Sequence, residues 1–282
     1  MPEHVDTATN VSGRPTELLL GKSGIVTGAA HGIGRAIALR LAQLGANVAV
    51  NYWTSEEDAK ATAAEISGTG RKCLLAQGDV GAEEDVRRIV SAVHEEFGTL
   101  DFLVNNAGGE GGARTDSSID TANYADWLRL VASNLSSTFL CTRYAAPIML
   151  RQRAGKIVNI SSICGLTGDC GPAYSASKAG MLGLTRHSAV ALAPFVQVNA
   201  ILPGFIDSQA HDPKKVARIT PGRRMGHPED VADLASYLVA SPQSFLTGSC
   251  IVLDGSVTNG VIGRAMDWDD IHALEEKRLG PG

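Results

Sequence analysis

The sequence of 282 residues lacks a long apolar run, an excess of positive charge and any C-x-x-C pair of cysteines. No stretch approaches the roughly 18 apolar residues that a membrane-spanning helix needs, so we expect no membrane partner. Lys and Arg total 25 against 30 Asp and Glu, and the formal net charge is −5. This acidic balance argues against a nucleic-acid partner.

Cysteines are few, odd in number and scattered. They are Cys73, Cys141, Cys164, Cys170 and Cys250. This spacing predicts neither a disulfide framework nor a zinc site, and we expect no bound metal. Reduced thiols and a cytoplasmic location fit best. Glu3 and Asp6 lie close to the N-terminus, which is not the pattern of a signal peptide.

Short apolar runs alternate with longer stretches of helical periodicity from Lys22 onward. We expect strands near 23–27, 47–51, 71–77, 100–105, 155–161, 197–202 and 249–253. We expect helices near 32–44, 55–67, 82–97, 121–150, 173–193 and 228–240. The alternation predicts right-handed βαβ units and an α/β fold with one parallel sheet of about seven strands. We divide the chain into a flexible N-terminal extension (1–20), a single catalytic domain (21–260) and a C-terminal extension (261–282).

A glycine-rich turn follows the first predicted strand. Gly28, Gly32 and Gly34 have the spacing G-x-x-x-G-x-G, with His31 and Ile33 between them. Glycines here allow a tight turn, close approach of the backbone to a pyrophosphate, and close packing of helix on strand. The helix N-terminus adds free N–H groups and the positive end of the helix dipole. The sequence therefore predicts a Rossmann-type doubly wound sheet that binds a dinucleotide.

Tyr174 and Lys178 are four residues apart on a predicted helix, which places both side chains on one face. A phenol has an unperturbed pKa of about 10 and is a poor acid or base near neutral pH. A neighbouring ammonium favours the phenolate and lowers that pKa. The pair therefore indicates a general acid–base group.

Together these two patterns resemble the short-chain dehydrogenase/reductase family over about residues 20–258. Further motifs match the family in order along the chain. They are Asp79-Val80 after the third strand, Asn105-Asn106-Ala107-Gly108 after the fourth, Asn134 on the fourth helix, Ser161-Ser162 after the fifth strand, and Pro203-Gly204 after the sixth.

The resemblance implies four catalytic roles. Tyr174 is the general acid in carbonyl reduction and the base in alcohol oxidation. Lys178 depresses the pKa of the tyrosine and binds the nicotinamide ribose. Ser162 donates a hydrogen bond to the carbonyl oxygen, and Asn134 holds a water that links Lys178 to solvent. Ser161 competes for the serine role, but the register with the family favours Ser162.

The resemblance also implies a nicotinamide dinucleotide cofactor, with Ile206 meeting the carboxamide through its backbone. The expected cofactor contacts are Gly28, His31, Gly32, Ile33, Gly34, Tyr52, Trp53, Thr54, Asp79, Val80, Asn106, Ala107, Gly108, Tyr174, Lys178, Pro203, Gly204, Ile206 and Ser208.

The end of the second strand decides the choice of cofactor. An acidic residue there would bind the ribose hydroxyls and repel a 2′-phosphate, but Tyr52 occupies its place. His31 stands where many NADP-using relatives carry a basic residue. We therefore expect NADP(H) to be preferred, with NAD(H) as a second option. Trp53 either stacks on adenine or is a half-buried aromatic at a strand end.

Loops and the tail carry the information on substrate and assembly. Glu110, Arg114, Asp169 and Cys170 are candidates for the pocket wall, and 208–220 is expected to form a short polar lid. In the tail, Trp268, Ile271 and Leu274 form an apolar stripe at helical spacing. This stripe packs on a neighbouring subunit, on a pocket or on its own subunit.

The expected function is an oxidoreductase that interconverts a small ketone and a secondary alcohol. A 3-oxoacyl or polyketide-type ketone is the first choice, and a sugar, polyol or other secondary alcohol is the alternative. A substrate on a carrier protein would want a basic rim, for which Arg151 and Arg153 are the nearest candidates. A non-catalytic dinucleotide sensor or scaffold is the alternative from another class. The resemblance implies a homotetramer or homodimer that pairs helices 121–150 and 173–193.

Overall fold

Seven parallel strands form one sheet in the order β3-β2-β1-β4-β5-β6-β7. The computed structural model describes residues 17–109, 118–207, 212–242 and 245–261. The strands are β1 (Ser23–Val26), β2 (Asn47–Tyr52), β3 (Cys73–Gln77), β4 (Phe102–Asn105), β5 (Gly155–Ile160), β6 (Val196–Pro203) and β7 (Cys250–Leu253). The order of the strands reverses between β1 and β4, which creates the crevice where doubly wound sheets bind ligands.

Helices cover both faces of the sheet. They are α1 (Gly32–Gln43), α2 (Glu56–Gly68), α3 (Glu83–Phe97), α4 (Tyr124–Val131), α5 (Ser137–Gln152), α6 (Cys164–Thr167), α7 (Pro172–Leu192), α8 (Pro213–Ile219), α9 (Pro228–Ala240) and α10 (Val257–Val261). A π-helical turn, Ala132–Ser136, joins α4 to α5. None of the described helices has the length and apolar character to cross a bilayer.

The predicted fold class is confirmed, because every expected strand and helix is present within a few residues of its predicted bounds. The expected helix 121–150 consists of α4, the π turn and α5. Three short helices were not predicted, namely α6, α8 and α10. They contain at most seven residues each, which is too short for a helical period to show in the sequence.

Two apolar cores lie on opposite faces of the sheet. On one face, Ile37 and Leu41 of α1 pack with Val231 and Ala235 of α9. On the other face, residues of α3, α5 and α7 pack against the sheet. The central strand β4 is buried along its whole length, as expected for a parallel strand covered on both faces.

The expectation that all cysteines are reduced is wrong for two of them. Cys164 and Cys170 form a disulfide, and their Cα atoms are 5.7 Å apart. The other three cysteines are free thiols. The spacing of six residues matches no disulfide framework, and only the turn of α6 brings the two sulfurs together.

A buried chain of polar side chains ties the helices to the sheet. Asn105 donates through Nδ2 to Thr142 Oγ1 at 3.2 Å and to Asn159 Oδ1 at 2.8 Å. Asn159 in turn donates to Thr185 Oγ1 at 2.8 Å. This chain connects α5, β4, β5 and α7 just below the carboxyl edge of the sheet. It therefore supports the elements that carry the candidate site.

We expect Asn159→Leu to destabilise the protein by about 2–3 kcal/mol, because it leaves the buried Asn105 amide and Thr185 hydroxyl with fewer partners. Urea unfolding measures this change. Asn259→Ala, at an exposed position on α10, is the control and should stay within about 0.5 kcal/mol of the parent. If Asn159→Leu lowers the free energy of unfolding by less than about 1 kcal/mol, this chain of buried polar side chains does not hold the helices to the sheet.

Candidate active site

A cavity of about 870 Å³ opens at the carboxyl edge of the sheet. It lies at the switch point and draws its walls from the ends of β1, β2, β3, β4, β5 and β6. Of the residues predicted to bind cofactor or catalyse, those lining the cavity are Gly28, His31, Gly32, Ile33, Tyr52, Trp53, Thr54, Asp79, Val80, Asn106, Ala107, Gly108, Ser162, Tyr174, Lys178, Pro203, Gly204 and Ile206. The structure thus brings together residues spread over most of the chain.

The glycine-rich turn forms one end of the cavity. Gly28 and Gly32 have φ angles of +60° and +56°, a conformation that favours glycine. His31 precedes α1 and makes no side-chain capping bond, so the helix N-terminus is left to a ligand anion. Gly34 does not line the cavity. A Cβ there would lie 2.3 Å from the Gly28 oxygen, so Gly34 serves close packing of helix on strand.

Asn51 supports this turn and was missed by the sequence analysis. Its Oδ1 accepts from the Gly28 N–H at 3.2 Å, while its Nδ2 donates to the Ala76 and Gly78 oxygens at 3.0 and 3.1 Å. The amide therefore fixes the turn after β1 against the end of β3. An asparagine inside an otherwise apolar strand was the signal that could have revealed it.

A second clamp joins the turn to the end of β4. The Thr27 hydroxyl accepts from the backbone N–H groups of Asn106 and Ala107, both at 2.9 Å. Asn106 donates through its side chain to the Thr27 and Gly28 oxygens, both at 3.0 Å. These bonds hold the two cavity walls on either side of the switch point in fixed register.

Lys178 lies under the cavity with its ammonium removed from solvent. Its Nζ donates to the Ile160 oxygen at 3.0 Å and is 5.4 Å from the centroid of the Tyr174 ring. Burial lowers the pKa of Lys178 to about 8. Both residues lie in the first two turns of α7, which begins at Pro172 after Gly171. The predicted Tyr–Lys face is therefore present and directed at the cavity.

The two serines at the end of β5 have different partners. Ser161 Oγ donates to the Lys178 carbonyl oxygen at 2.9 Å, and so attaches α7 to the strand. Ser162 Oγ accepts from the Cys164 N–H at 3.2 Å. That bond leaves the Ser162 proton available for a substrate oxygen. The geometry thus supports the register that assigned the catalytic role to Ser162.

Asn134 lies within the π-helical turn and is fully buried. Its Oδ1 accepts from the Gly109 N–H at 2.9 Å, and its Nδ2 donates to the Gly109 and Leu130 oxygens at 2.9 and 3.0 Å. The side chain therefore clamps the glycine loop after β4 and does not line the cavity. Its part in a proton relay stays a prediction. Irregular π turns are often found at functional sites.

The loop between Ser162 and Tyr174 forms the other end of the cavity. Asp169 and Cys170 line it, as the sequence analysis suggested, and so does Cys164. One ligand atom from each of these three residues lies within 4.8 Å of the others. The two sulfurs are bonded to each other, so they are not available as thiolate ligands.

The basic rim proposed at Arg151 and Arg153 is wrong. Arg151 lies in the last turn of α5 and Arg153 ends that helix, two residues before β5 begins, and the Arg153 guanidinium stacks on Phe195, just before β6. Strand starts lie at the opposite edge of a parallel sheet from the cavity. Ser208, Glu110, Arg114 and the tail residues 268, 271 and 274 lie outside the described residues.

Several lining residues were not predicted. They are Ala30, Ser55, Gly78, Gly109, Ser133, Ile160, Ile163, Phe205 and Asp207, together with Asn51 and Cys164. Most of them are next to a predicted residue, so the motifs located the segments but not their full contact surface. Lys178 is the only Lys or Arg among the described lining residues.

We expect Lys178→Met to stabilise the ligand-free protein at pH 7 by about 2–3 kcal/mol, because a buried ammonium is removed. The folded pKa is about 8 against 10.5 for an ordinary lysine. The unfolded chain therefore binds more protons between these values, and the stability of the parent rises with pH there. The gap between the two proteins should shrink from pH 8 to 10.

Urea unfolding at pH 7, 8.5 and 10 measures this prediction. Lys214→Met, at an exposed position on α8, is the matched control and should leave the pH dependence as it is. A gap between parent and Lys178→Met that stays constant with pH would mean that Lys178 keeps its ordinary pKa.

Comparison with known proteins places this site in a family. The family model described as enoyl-(acyl carrier protein) reductase matches residues 28–258. The 3-oxoacyl-[acyl-carrier-protein] reductase of Staphylococcus aureus is 39% identical over 244 residues, which cover 84% of this chain and 98% of the relative. The protein of the same name from Synechocystis is 36% identical over 245 residues, with 85% and 98% covered.

Solved structures show the same architecture. A putative short-chain alcohol dehydrogenase from Sinorhizobium meliloti superposes with a TM-score of 0.81 at 35% identity, covering 88% of this chain and all of that one. A short-chain type dehydrogenase/reductase from Mycobacterium marinum gives 0.79 at 33% identity, with 85% and 96% covered.

Proposed function

The chain belongs to the short-chain dehydrogenase/reductase family, and we propose that it is a ketoreductase that converts a 3-oxoacyl thioester into the 3-hydroxyacyl thioester. One observation carries the proposal: Ser162, Tyr174 and Lys178 line the same cavity as the glycine-rich turn. A substrate carbonyl bound at Ser162 and Tyr174 and a dinucleotide bound at the glycine-rich turn would meet inside this cavity.

The residues present fit a nicotinamide dinucleotide. The left-handed glycines, the uncapped start of α1 and the amide clamp of Asn51 shape an end of the cavity that suits a pyrophosphate. The Tyr52 and Val80 side chains are available to the adenosine half. When bound, this cofactor supplies the hydride.

The chain's own residues handle the proton and the developing charge. Ser162 donates a hydrogen bond from its hydroxyl to the carbonyl oxygen and keeps its proton, which stabilises the charge that grows there as reduction proceeds. Tyr174 transfers a proton to the same oxygen as general acid. The Lys178 ammonium stabilises the phenolate that remains, and its short distance from the ring makes this effect strong in a desolvated site. Asn134 keeps the loop at Gly109 in place.

The substrate class rests on the relatives, which bear the name of 3-oxoacyl reductases and match over nearly their full length. The surface gives further support. Helix α8 follows β6 at the carboxyl edge of the sheet and carries the exposed Lys214, Lys215 and Arg218. Positive charge at this edge suits an acyl chain presented on an acidic carrier.

The proposed cofactor preference is NADP(H) over NAD(H). The end of β2 offers Tyr52, Trp53 and Thr54, none of which would repel a 2′-phosphate. The nearby Glu56 and Glu57 are both paired with Lys60, at 3.0 Å each, which offsets one of their two negative charges. Trp53 is 64% exposed and lines the cavity, so it has room to stack on adenine.

The proposed assembly is a homodimer or homotetramer. Large apolar side chains are exposed on the helices that the family resemblance assigned to subunit contact. They are Tyr124 and Leu128 on α4, Phe139 on α5 and Val190 on α7. Covering such side chains in a neighbouring subunit would remove apolar surface from water.

The test is nicotinamide oxidation, with NADPH and NADH in parallel, on 3-oxoacyl thioesters, keto sugars, simple ketones and 2-enoyl thioesters. We expect turnover on the 3-oxoacyl thioesters and none on the 2-enoyl thioesters. Tyr174→Phe should lose at least about 100-fold in kcat, because the general acid is gone. Its Kd for NADPH should stay within about threefold, since the ring remains.

Each possible result distinguishes the proposed function from one of its alternatives. Turnover confined to keto sugars or simple ketones would replace the proposed substrate class, and reduction of the 2-enoyl thioesters would change the proposed reaction. Tight cofactor binding without turnover on any compound would favour a dinucleotide sensor. Full activity of Tyr174→Phe would remove Tyr174 from the mechanism.

We expect Trp53→Arg to raise the ratio of kcat/KM for NADPH over NADH by about tenfold. A guanidinium at this exposed strand end can form a charge-assisted hydrogen bond with the 2′-phosphate. Trp53→Gln removes the same ring without adding charge and should leave the ratio nearly unchanged. An equal ratio in both variants would place the ribose of the adenosine away from Trp53.

A further inference from the structure

We propose that Cys164 and Cys170 form a thiol–disulfide redox site that regulates the reductase, with the oxidised form as the more active one. Both residues line the cavity that holds Ser162 and Tyr174. The disulfide joins the two ends of the short loop between these two side chains. The kinetic part of this inference rests on the proposed function, whereas the chemistry of the pair does not.

The first end of the loop is tied to Ser162. The Cys164 N–H donates to Ser162 Oγ at 3.2 Å, so the position of Cys164 sets the orientation of that hydroxyl. The next residue, Gly165, packs directly on α7. A Cβ at Gly165 would lie 2.8 Å from the Lys178 carbonyl carbon and 2.8 Å from the Ala179 nitrogen. This end of the disulfide is therefore anchored to both strand and helix.

The second end is tied to the start of α7. The Cys170 carbonyl oxygen accepts from Ser175 Oγ at 3.1 Å. The next carbonyl, of Gly171, accepts from the Ser175 N–H at 3.0 Å. Ser175 directly follows Tyr174, so Cys170 supports the turn that carries the phenol. The disulfide thus links the support of Ser162 to the support of Tyr174, and reduction removes that link.

The pair is accessible to a reductant, because both cysteines are partly exposed and Leu166 of α6, between them in sequence, has 54% of its surface exposed. Burial raises the pKa of the free thiols Cys73 and Cys141 to about 11 and about 12. These thiols carry little thiolate near neutral pH and do not compete in exchange.

The step is an ordinary exchange with a dithiol reductant. One thiolate of the dithiol attacks a loop sulfur and forms a mixed disulfide, and the other loop sulfur leaves as a thiolate. The second thiol of the reductant then releases the remaining loop sulfur. The loop pair gains two electrons and two protons and becomes two thiols, while the dithiol becomes a disulfide.

Reduction should lower kcat/KM because the two hydroxyl groups lose a shared restraint. Productive geometry in an active site is sensitive to displacements of about 1 Å. The cofactor end of the cavity is held by Asn51, Thr27 and Asn106, none of which bonds to this loop. Cofactor affinity should therefore stay the same in both states.

The experiment compares the full-length protein before and after treatment with dithiothreitol, with EDTA present so that the freed thiols and Asp169 bind no metal. Alkylation with iodoacetamide and peptide mass analysis reports the state of the pair. We expect both loop cysteines to be modified only after reduction. We also expect kcat/KM for the 3-oxoacyl thioester to fall about tenfold, with an unchanged Kd for NADPH, and to recover on reoxidation.

Variants distinguish the effect of reducing the Cys164–Cys170 disulfide from other effects of dithiothreitol on the protein. Cys164→Ser/Cys170→Ser should resemble the reduced parent and ignore dithiothreitol. Cys250→Ser keeps the loop pair and should respond as the parent does. Free loop thiols in the untreated protein would overturn the proposal, as would kcat/KM values within twofold of each other in the two states.

Absence of turnover on every substrate would contradict the proposed function. The redox site would then be tested by a measurement that does not depend on activity. Hydrogen exchange of the amides in 163–175 reports the restraint directly. Faster exchange after reduction in the parent, but not in the double variant, supports the redox site. Equal exchange in both states overturns it.

Discussion

The burial of the Lys178 ammonium is the constraint on which the rest of the site depends. An ammonium without water needs a partner, and the Ile160 oxygen at the end of β5 accepts its hydrogen bond at 3.0 Å. That bond fixes α7 against β5, and the hydrogen bond from Ser161 to the Lys178 carbonyl fixes it a second time. Tyr174, one turn earlier on the same helix, is placed as a consequence. The low dielectric that makes this charge costly also strengthens its effect on the nearby phenol.

Amide side chains hold several of the segments that surround the cavity. Asn51, Asn105, Asn106, Asn134 and Asn159 are each bonded to a different segment of the chain. An amide can both donate and accept, so one residue can join two loops without adding charge. The cofactor end of the cavity is thereby built largely from backbone groups and amides. Such a surface is ready to receive a pyrophosphate without a guanidinium.

Sequence reasoning was strongest where local signals and spacing decide the outcome. The glycine-rich turn, the Tyr174–Lys178 spacing and the alternation of elements predicted the sheet and most of the cavity wall. The sequence analysis failed where contacts between segments that are distant in sequence determine the structure. The partners of Asn51 are distant in sequence, and the disulfide of Cys164 depends on a four-residue helix that has no periodicity. Arg153 was wrongly expected at the rim of the cavity. It is close to Ser162 in sequence, but β5 lies between them, so the two residues are at opposite edges of the sheet.

The two ends of the cavity follow different physical rules. At the cofactor end, Thr27, Asn51 and Asn106 are tied to strands, and a strand cannot shift without breaking its ladder to both neighbours. At the substrate end, the walls come from the loop between β5 and α7 and from the segment after β6. Loops have fewer backbone bonds to lose, so they change more easily in sequence and in position. On the proposed assignment of the two ends, recognition of the dinucleotide is therefore a property of the sheet. On the same assignment, recognition of the carbonyl compound depends on the few links that restrain those loops, and the disulfide between Cys164 and Cys170 is the covalent one among them.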